Sequence, residues 1–167
     1  IYSLLTRFNP LNKSLPYAVP YNGKNVLVVG LGPAGYTLSN YLANYGFGVV
    51  GIDGLKLEPV DDALTGRGFA CPRPIRDFEQ LKSRLDSRIL MGFGGVSEYG
   101  ITVRWDKNFL AVIYLTLLRR QNLRFYGGVR FGGTLHLEDA WQQGFHHVAM
   151  ATGAGRPTVI DMKNNLA

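Results

Sequence analysis

The most constraining feature of the chain is a glycine-rich segment placed directly after a continuous apolar run. The run, 25–29, is rich in Val and Leu, which is typical of a strand buried on both faces. The segment 30–35 reads Gly-Leu-Gly-Pro-Ala-Gly, and apolar residues at a helical period follow over 36–45. A second apolar run, 48–53, ends on an acid. These pieces predict a βαβ unit of the size that a parallel crossover requires.

Each residue type in this unit suits the binding of a dinucleotide. Gly30 permits a tight turn off the strand, Gly32 lets a pyrophosphate approach the backbone, and Gly35 allows the helix to pack close to the sheet. A helix that begins near Pro33 offers free N–H groups to phosphates, so the site needs no Lys or Arg. Asp53, at the end of the second strand, can accept hydrogen bonds from both hydroxyls of an adenosine ribose.

The remainder of the chain continues the alternation of strands and helices. Further strands are predicted over 124–126, 128–131, 134–137 and 147–151, and further helices over 77–85, 107–120 and 138–143. This order predicts an α/β fold, a Rossmann-like three-layer domain with a central parallel sheet.

Three motifs carry a resemblance to a known family. The segment 28–35, followed by Gly46 and Asp53, resembles the FAD-binding fingerprint of the FAD/NAD(P)-binding pyridine nucleotide-disulphide oxidoreductase superfamily. The segment 94–101, Gly-Gly-Val-Ser-Glu-Tyr-Gly-Ile, is similar to one in the glutamate synthase small-subunit family. The strand and Ala-Thr-Gly of 147–153 resemble a segment that follows in the same proteins.

The resemblance implies a domain organisation. Three prolines predict an extended lead-in over 1–24. The resemblance makes 25–157 an incomplete FAD-binding domain with an insertion at about 55–91. Residues 158–167 would begin a downstream segment that the chain lacks. The family's iron–sulfur cysteines, its second glycine fingerprint for NADPH and its final Gly-Asp segment do not occur in this sequence, which suggests a piece of a longer flavoprotein.

The resemblance also implies a cofactor and its contacts. FAD would bind in this domain, NADPH would bind in a domain not present in this chain, and hydride would pass from NADPH to the flavin in the intact enzyme. The resemblance points to no catalytic residue. The implied FAD contacts are the pyrophosphate loop (Gly30, Gly32, Pro33, Ala34, Gly35), the ribose acid (Asp53), a loop along the cofactor (Gly94, Gly95), an adenine contact through the backbone (Val129) and two closing residues (Thr152, Gly153).

Composition excludes several other classes of protein. Hydrophobic residues make up 46% and charged residues 18%, which is globular composition. The single cysteine, Cys71, excludes an internal disulfide and any Cys-built metal site within these residues. The longest apolar run is half a membrane span, and the start lacks a secretory pattern, so we expect a cytoplasmic protein with no membrane partner. The adjacent pair His146–His147 is expected to lie at a strand end and not to bind metal.

The formal charge of +6 requires an interpretation, since four arginines crowd a short stretch of the chain (Arg119, Arg120, Arg124, Arg130). They are not interleaved with a nucleic-acid-binding motif, and the tyrosines do not cluster as stacking platforms, so no nucleic-acid partner is expected. The charge would attract dinucleotide phosphates or pair with absent domains.

Two questions stay open from the sequence. The apolar segment 109–118 predicts a helix with almost no polar face, which either a missing domain or partner subunit covers, or this domain's own core. In function, the alternatives to part of a flavin oxidoreductase are a stand-alone NAD- or FAD-binding module without catalysis and a truncated product with an empty site.

Overall fold

A computed structural model describes residues 8–12, 18–55, 57, 60–66, 71–81 and 108–153 of the chain. Two short 3-10 helices, Pro10–Asn12 and Phe78–Leu81, accompany the regular elements. In chain order the elements are β1 (Asn25–Val29), α1 (Pro33–Asn44), β2 (Gly48–Asp53), α2 (Asp62–Thr65), α3 (Asn108–Leu118), β3 (Leu123–Gly127), α4 (Leu137–Gln142) and β4 (His147–Met150). Within these ranges no helix is long and apolar enough to cross a membrane.

The four strands form one parallel sheet in the order β3-β2-β1-β4. In the central strand β1, Val26 pairs with Val49 of β2 on one side and with His147 of β4 on the other. Val49 in turn pairs with Leu123 of β3. The predicted α/β class with a central parallel sheet is therefore confirmed.

Alternate residues of β1 face opposite sides of the sheet, as the period of two requires. Val26 and Val28 join a core with α1, α3 and β3, whereas Leu27 and Val29 pack with Ala140 of α4. These four side chains are buried. The continuous apolar run in the sequence thus reflects helices on both faces of this strand.

Helix α3 is apolar on nearly every side, and two different parts of the chain pack against it. Leu110, Tyr114, Leu117 and Leu118 face the sheet and α1. On its other side, Val112 and Leu115 pack with Leu11 and Ile75, which come from the segments before β1 and before α3. The chain's own residues thus bury most of 110–118, whereas Ile113 and Thr116 stay half-buried.

Arg119, one residue beyond α3, joins these peripheral segments together. Its guanidinium donates to the backbone carbonyls of Leu64 (2.9 Å), Leu11 (3.1 Å) and Arg73 (3.0 Å), and the side chain is only 3% exposed. Burial lowers the pKa of Arg119 below its ordinary value, and the nearby Cys71 partly offsets this effect. Arg119 therefore holds packed segments of the fold together, and its buried guanidinium is not accessible to a ligand.

Several predicted elements differ in the structure. The strands predicted over 128–131 and 134–137 are wrong: the carbonyl of Arg130 accepts the N–H groups of Thr134 and Leu135, so this stretch is a turn with one bridge between Phe131 and Leu135. Helix α4 then begins at Leu137, inside the second predicted strand. Of the helix predicted over 77–85, the described part is the short 3-10 helix, and 82–85 lie outside the described residues.

Truncating Leu115 to alanine tests the packing on the outer side of α3. Leu115 is fully buried, so Leu115→Ala is expected to lower the free energy of unfolding by about 3 kcal/mol through lost burial and a residual cavity. Urea denaturation followed by circular dichroism measures the change. The matched variant Leu137→Ala, at a leucine 42% exposed, should cost less than about 1 kcal/mol. Equal losses for the two variants would contradict the described burial.

Candidate functional site

The strand order creates a crevice at the carboxyl edge of the sheet. From β1 the chain proceeds to β2 and β3 on one side, whereas β4 lies on the other side of β1. The loops that follow β1 and β4 therefore diverge at this edge, and ligands of open parallel sheets bind at such a point. The loop after β1 carries Gly30 and Gly32, and the loop after β4 carries Thr152 and Gly153, both exposed.

At two positions of the predicted fingerprint, neighbouring backbone atoms lie so close that only glycine fits. Gly30 has a φ of +96°, and a Cβ there would lie 2.5 Å from the carbonyl oxygen of Ala151. A Cβ at Gly35 would overlap the Gly30 carbonyl oxygen and lie 2.8 Å from its carbonyl carbon. The first turn of α1, the glycine loop and the end of β4 thus meet without room for a side chain. This agrees with the role predicted for Gly35.

The N-terminus of α1 leaves its first amide groups available. Gly32 is the N-cap residue and provides no side-chain cap, and Pro33 at the first helical position has no N–H. The first bond of the helix runs from the Tyr36 N–H to the Gly32 carbonyl, 3.0 Å. The amides of Ala34 and Gly35 precede that bond and have no partner within the helix. Together with the helix dipole they suit an anionic group such as a phosphate.

Asp53 lies at the end of β2, beside this loop. Its Oδ2 accepts the Leu31 N–H at 2.7 Å, and its Oδ1 accepts the Leu55 N–H at 2.9 Å. The side chain is half-buried. A carboxylate has about four acceptor positions, so both oxygens keep capacity for the two hydroxyls of a ribose.

The other predicted site residues fall in different places. Val129 follows β3 on the side of the sheet occupied by β2, and its N–H donates to the Asp53 carbonyl at 2.9 Å. Its amide is therefore used within the fold, which leaves the carbonyl as the backbone group for the predicted adenine contact. Gly94 and Gly95 lie outside the described residues.

No site role was predicted from the sequence for two residues of this edge. Ala151 limits the approach of both Gly30 and Gly35, and its N–H donates to the Val29 carbonyl at 2.7 Å. Leu31 provides the amide that Asp53 binds. For Ala151, the available signal was its small size at the position directly after the β4 run. No local pattern indicates a role for the Leu31 amide.

His146, Arg120 and Arg124 make their hydrogen bonds away from the crevice. His146 Nδ1 accepts the Asn25 N–H at 3.1 Å, and the described ranges contain no group of three side chains able to hold a metal ion. Arg120 donates to Asn40 Oδ1 at 2.9 Å, and Arg124 donates to carbonyls between α3 and the start of β3, including that of Gln121 at 3.1 Å. Burial also lowers the pKa of Arg120.

Comparison with known proteins identifies a relative without a stated activity. No protein-family model matches the chain. An uncharacterized protein of Rickettsia prowazekii (strain Madrid E), RP006, is 44% identical to it over 164 residues, which is 98% of this chain. The chain spans 22% of the length of that curated relative, and is thus similar to one part of a much longer protein.

Proposed function

We propose that the chain binds FAD in the carboxyl-edge crevice, as the FAD-binding part of an FAD-dependent NAD(P)H oxidoreductase resembling the glutamate synthase small subunit. The observation that carries the proposal is the convergence of an uncapped helix N-terminus, a glycine loop and the Asp53 carboxylate at one edge of a parallel sheet. The strand order β3-β2-β1-β4 matches the first four positions of the 3-2-1-4-5-6 order of Rossmann sheets, which supports this assignment.

The residues at the crevice fit the dinucleotide part of FAD. The backbone of Gly32 and the amides of Ala34 and Gly35 would hold the pyrophosphate, because they are the unbonded donors at the positive end of α1. Asp53 would accept the ribose hydroxyls with the acceptor capacity that its two present hydrogen bonds leave. Thr152 and Gly153 would border the cofactor from the β4 side.

Bound flavin would supply the redox chemistry by accepting hydride from a reduced nicotinamide. The chain's own residues would bind and orient the cofactor, and NADPH would be held by a domain outside this chain. We therefore expect the 167-residue chain to bind FAD without oxidising NADPH in steady state.

Visible absorbance of the purified chain, before and after incubation with FAD and removal of the excess, tests the proposal. We expect retained flavin bands. The variant Gly32→Ala should weaken FAD binding at least about tenfold, since its methyl group would stand where the pyrophosphate approaches the backbone. Its φ of −72° suits alanine, so the fold should be kept.

Gly133→Ala is the matched control, because the nearest atom to its Cβ would be a side-chain carbon of Arg130 at 3.5 Å. This variant should bind FAD as the wild type does. A colourless protein that binds NAD would instead support a stand-alone nucleotide-binding module. A chain that binds neither would contradict the proposal.

A further inference from the structure

We propose that Asp53 is a positioning residue for the diphosphate part of the ligand, in addition to facing a ribose. Its carboxylate would hold the glycine loop in the binding conformation before the ligand arrives. This inference rests on the proposed function, since it concerns the same crevice.

The first support is the hydrogen bond from the Leu31 N–H to Asp53 Oδ2, at 2.7 Å. This length is typical of a charge-assisted hydrogen bond, which is stronger than a neutral one. Leu31 lies between Gly30 and Gly32, and its side chain is fully buried. Fixing this residue therefore fixes the peptide that leads directly into Gly32 and the first turn of α1.

The second support is that Asp53 connects three loops at the carboxyl edge. Besides Leu31, its carboxylate binds the Leu55 N–H at 2.9 Å, and its backbone carbonyl binds the Val129 N–H at 2.9 Å. The Gly128 N–H then donates to the Leu55 carbonyl at 2.8 Å. The loops after β1, β2 and β3 are thus held to one residue. A site ordered in this way loses less conformational entropy when a ligand binds.

The third support comes from the opposite end of Leu31. Gly51 of β2 faces the Leu31 side chain, and a Cβ at residue 51 would lie 2.6 Å from Leu31 Cδ2. It would also lie 2.6 Å from Cδ1 of Phe125. The Leu31 side chain therefore packs against Gly51, and its backbone N–H is held by the Asp53 carboxylate.

The positioning role differs from a ribose contact in one measurable consequence. If Asp53 acted only on ribose hydroxyls, its substitution would not affect a nucleotide that lacks them. If Asp53 orders the phosphate loop, substitution weakens a diphosphate ligand whether or not its ribose carries hydroxyls. Asp53→Asn keeps the size of the side chain but presents an NH₂ group to one of the two amide donors.

The experiment measures binding of ADP and of 2′,3′-dideoxyadenosine 5′-diphosphate by calorimetry, using the full 167-residue chain. We expect Asp53→Asn to weaken both nucleotides, on the order of tenfold each. The control is Asp139→Asn, because Asp139 Oδ2 also accepts a backbone N–H, that of His136 at 2.8 Å, but at the start of α4. This control should bind both nucleotides as the wild type does.

Loss of ADP binding with unchanged binding of the dideoxy nucleotide would overturn the positioning role and leave the proposed function standing. A wild-type chain that retains FAD but binds neither nucleotide would overturn the positioning role alone, and one that also retains no FAD would overturn both. If Asp53→Asn does not fold, Asp53→Glu provides the measurement, because it keeps a carboxylate for the ribose but moves it by one methylene relative to the Leu31 N–H. Similar weakening of both nucleotides supports the inference, and unchanged binding of the dideoxy nucleotide overturns it. Faster hydrogen exchange of the Leu31 amide in ligand-free Asp53→Asn is a further expected result, which a pure ribose contact would not produce.

Discussion

Gly35→Ala is expected to destabilise the chain by about 3 kcal/mol, because the added methyl group meets backbone atoms that have no rotamer to change. The Cβ would overlap the Gly30 carbonyl oxygen, and the Ala151 Cβ would lie 3.5 Å away. Helix α1 would have to move away from β1 and β4 to relieve the contact. This movement would separate the glycine loop from Asp53, so FAD binding should be lost as well. Urea denaturation and the flavin absorbance assay measure the two effects.

Gly133→Ala again serves as the control, since both variants add one methyl group to a glycine. Its Cβ would meet only side-chain atoms of Arg130, at 3.5 Å or more. The free energy of unfolding should change by less than about 1 kcal/mol. If Gly35→Ala unfolds at the same urea concentration as Gly133→Ala, the close approach of α1 to the loop is wrong.

Arg119→Met is expected to lower the free energy of unfolding by about 3 to 5 kcal/mol. Methionine retains much of the apolar volume but removes the donors to the carbonyls of Leu11, Leu64 and Arg73. The Leu11 carbonyl keeps the Ile75 N–H as a donor, so the loss comes mainly from the partly buried carbonyls of Leu64 and Arg73, which lose the guanidinium donor. Arg119→Lys should lie between the wild type and Arg119→Met, because one ammonium group does not reproduce the planar guanidinium that spans three carbonyls.

The control for the charge itself is Arg130→Met, because the Arg130 side chain is exposed. That variant should alter the free energy of unfolding by less than about 0.5 kcal/mol. Equal stabilities of Arg119→Met and Arg130→Met would show that the segments packed on α3 do not depend on this arginine.

The strands flanking the glycine loop could be predicted from sequence because their signal is local. The predicted bounds of the first two, 25–29 and 48–53, are those of β1 and β2. Each is a continuous apolar run between turn residues, the pattern of a strand covered on both faces. The predictions over 128–131 and 134–137 failed because short apolar stretches around Gly132–Gly133 resemble a hairpin. The Arg130 carbonyl instead closes a tight turn there, and α4 follows.

The sequence by itself determined the composition of the candidate site: three glycines at fixed spacing, a helix that starts at Pro33, and an acid at the end of the next strand. Only the tertiary structure decided what these residues contact. Strand order brings Ala151 against Gly30, and Asp53 binds an amide 22 residues away along the chain. Arg119 likewise donates hydrogen bonds to carbonyls 46, 55 and 108 residues away along the chain. The physical reason is that a local pattern reports the period and the burial of one segment, whereas such contacts depend on how separate segments pack together.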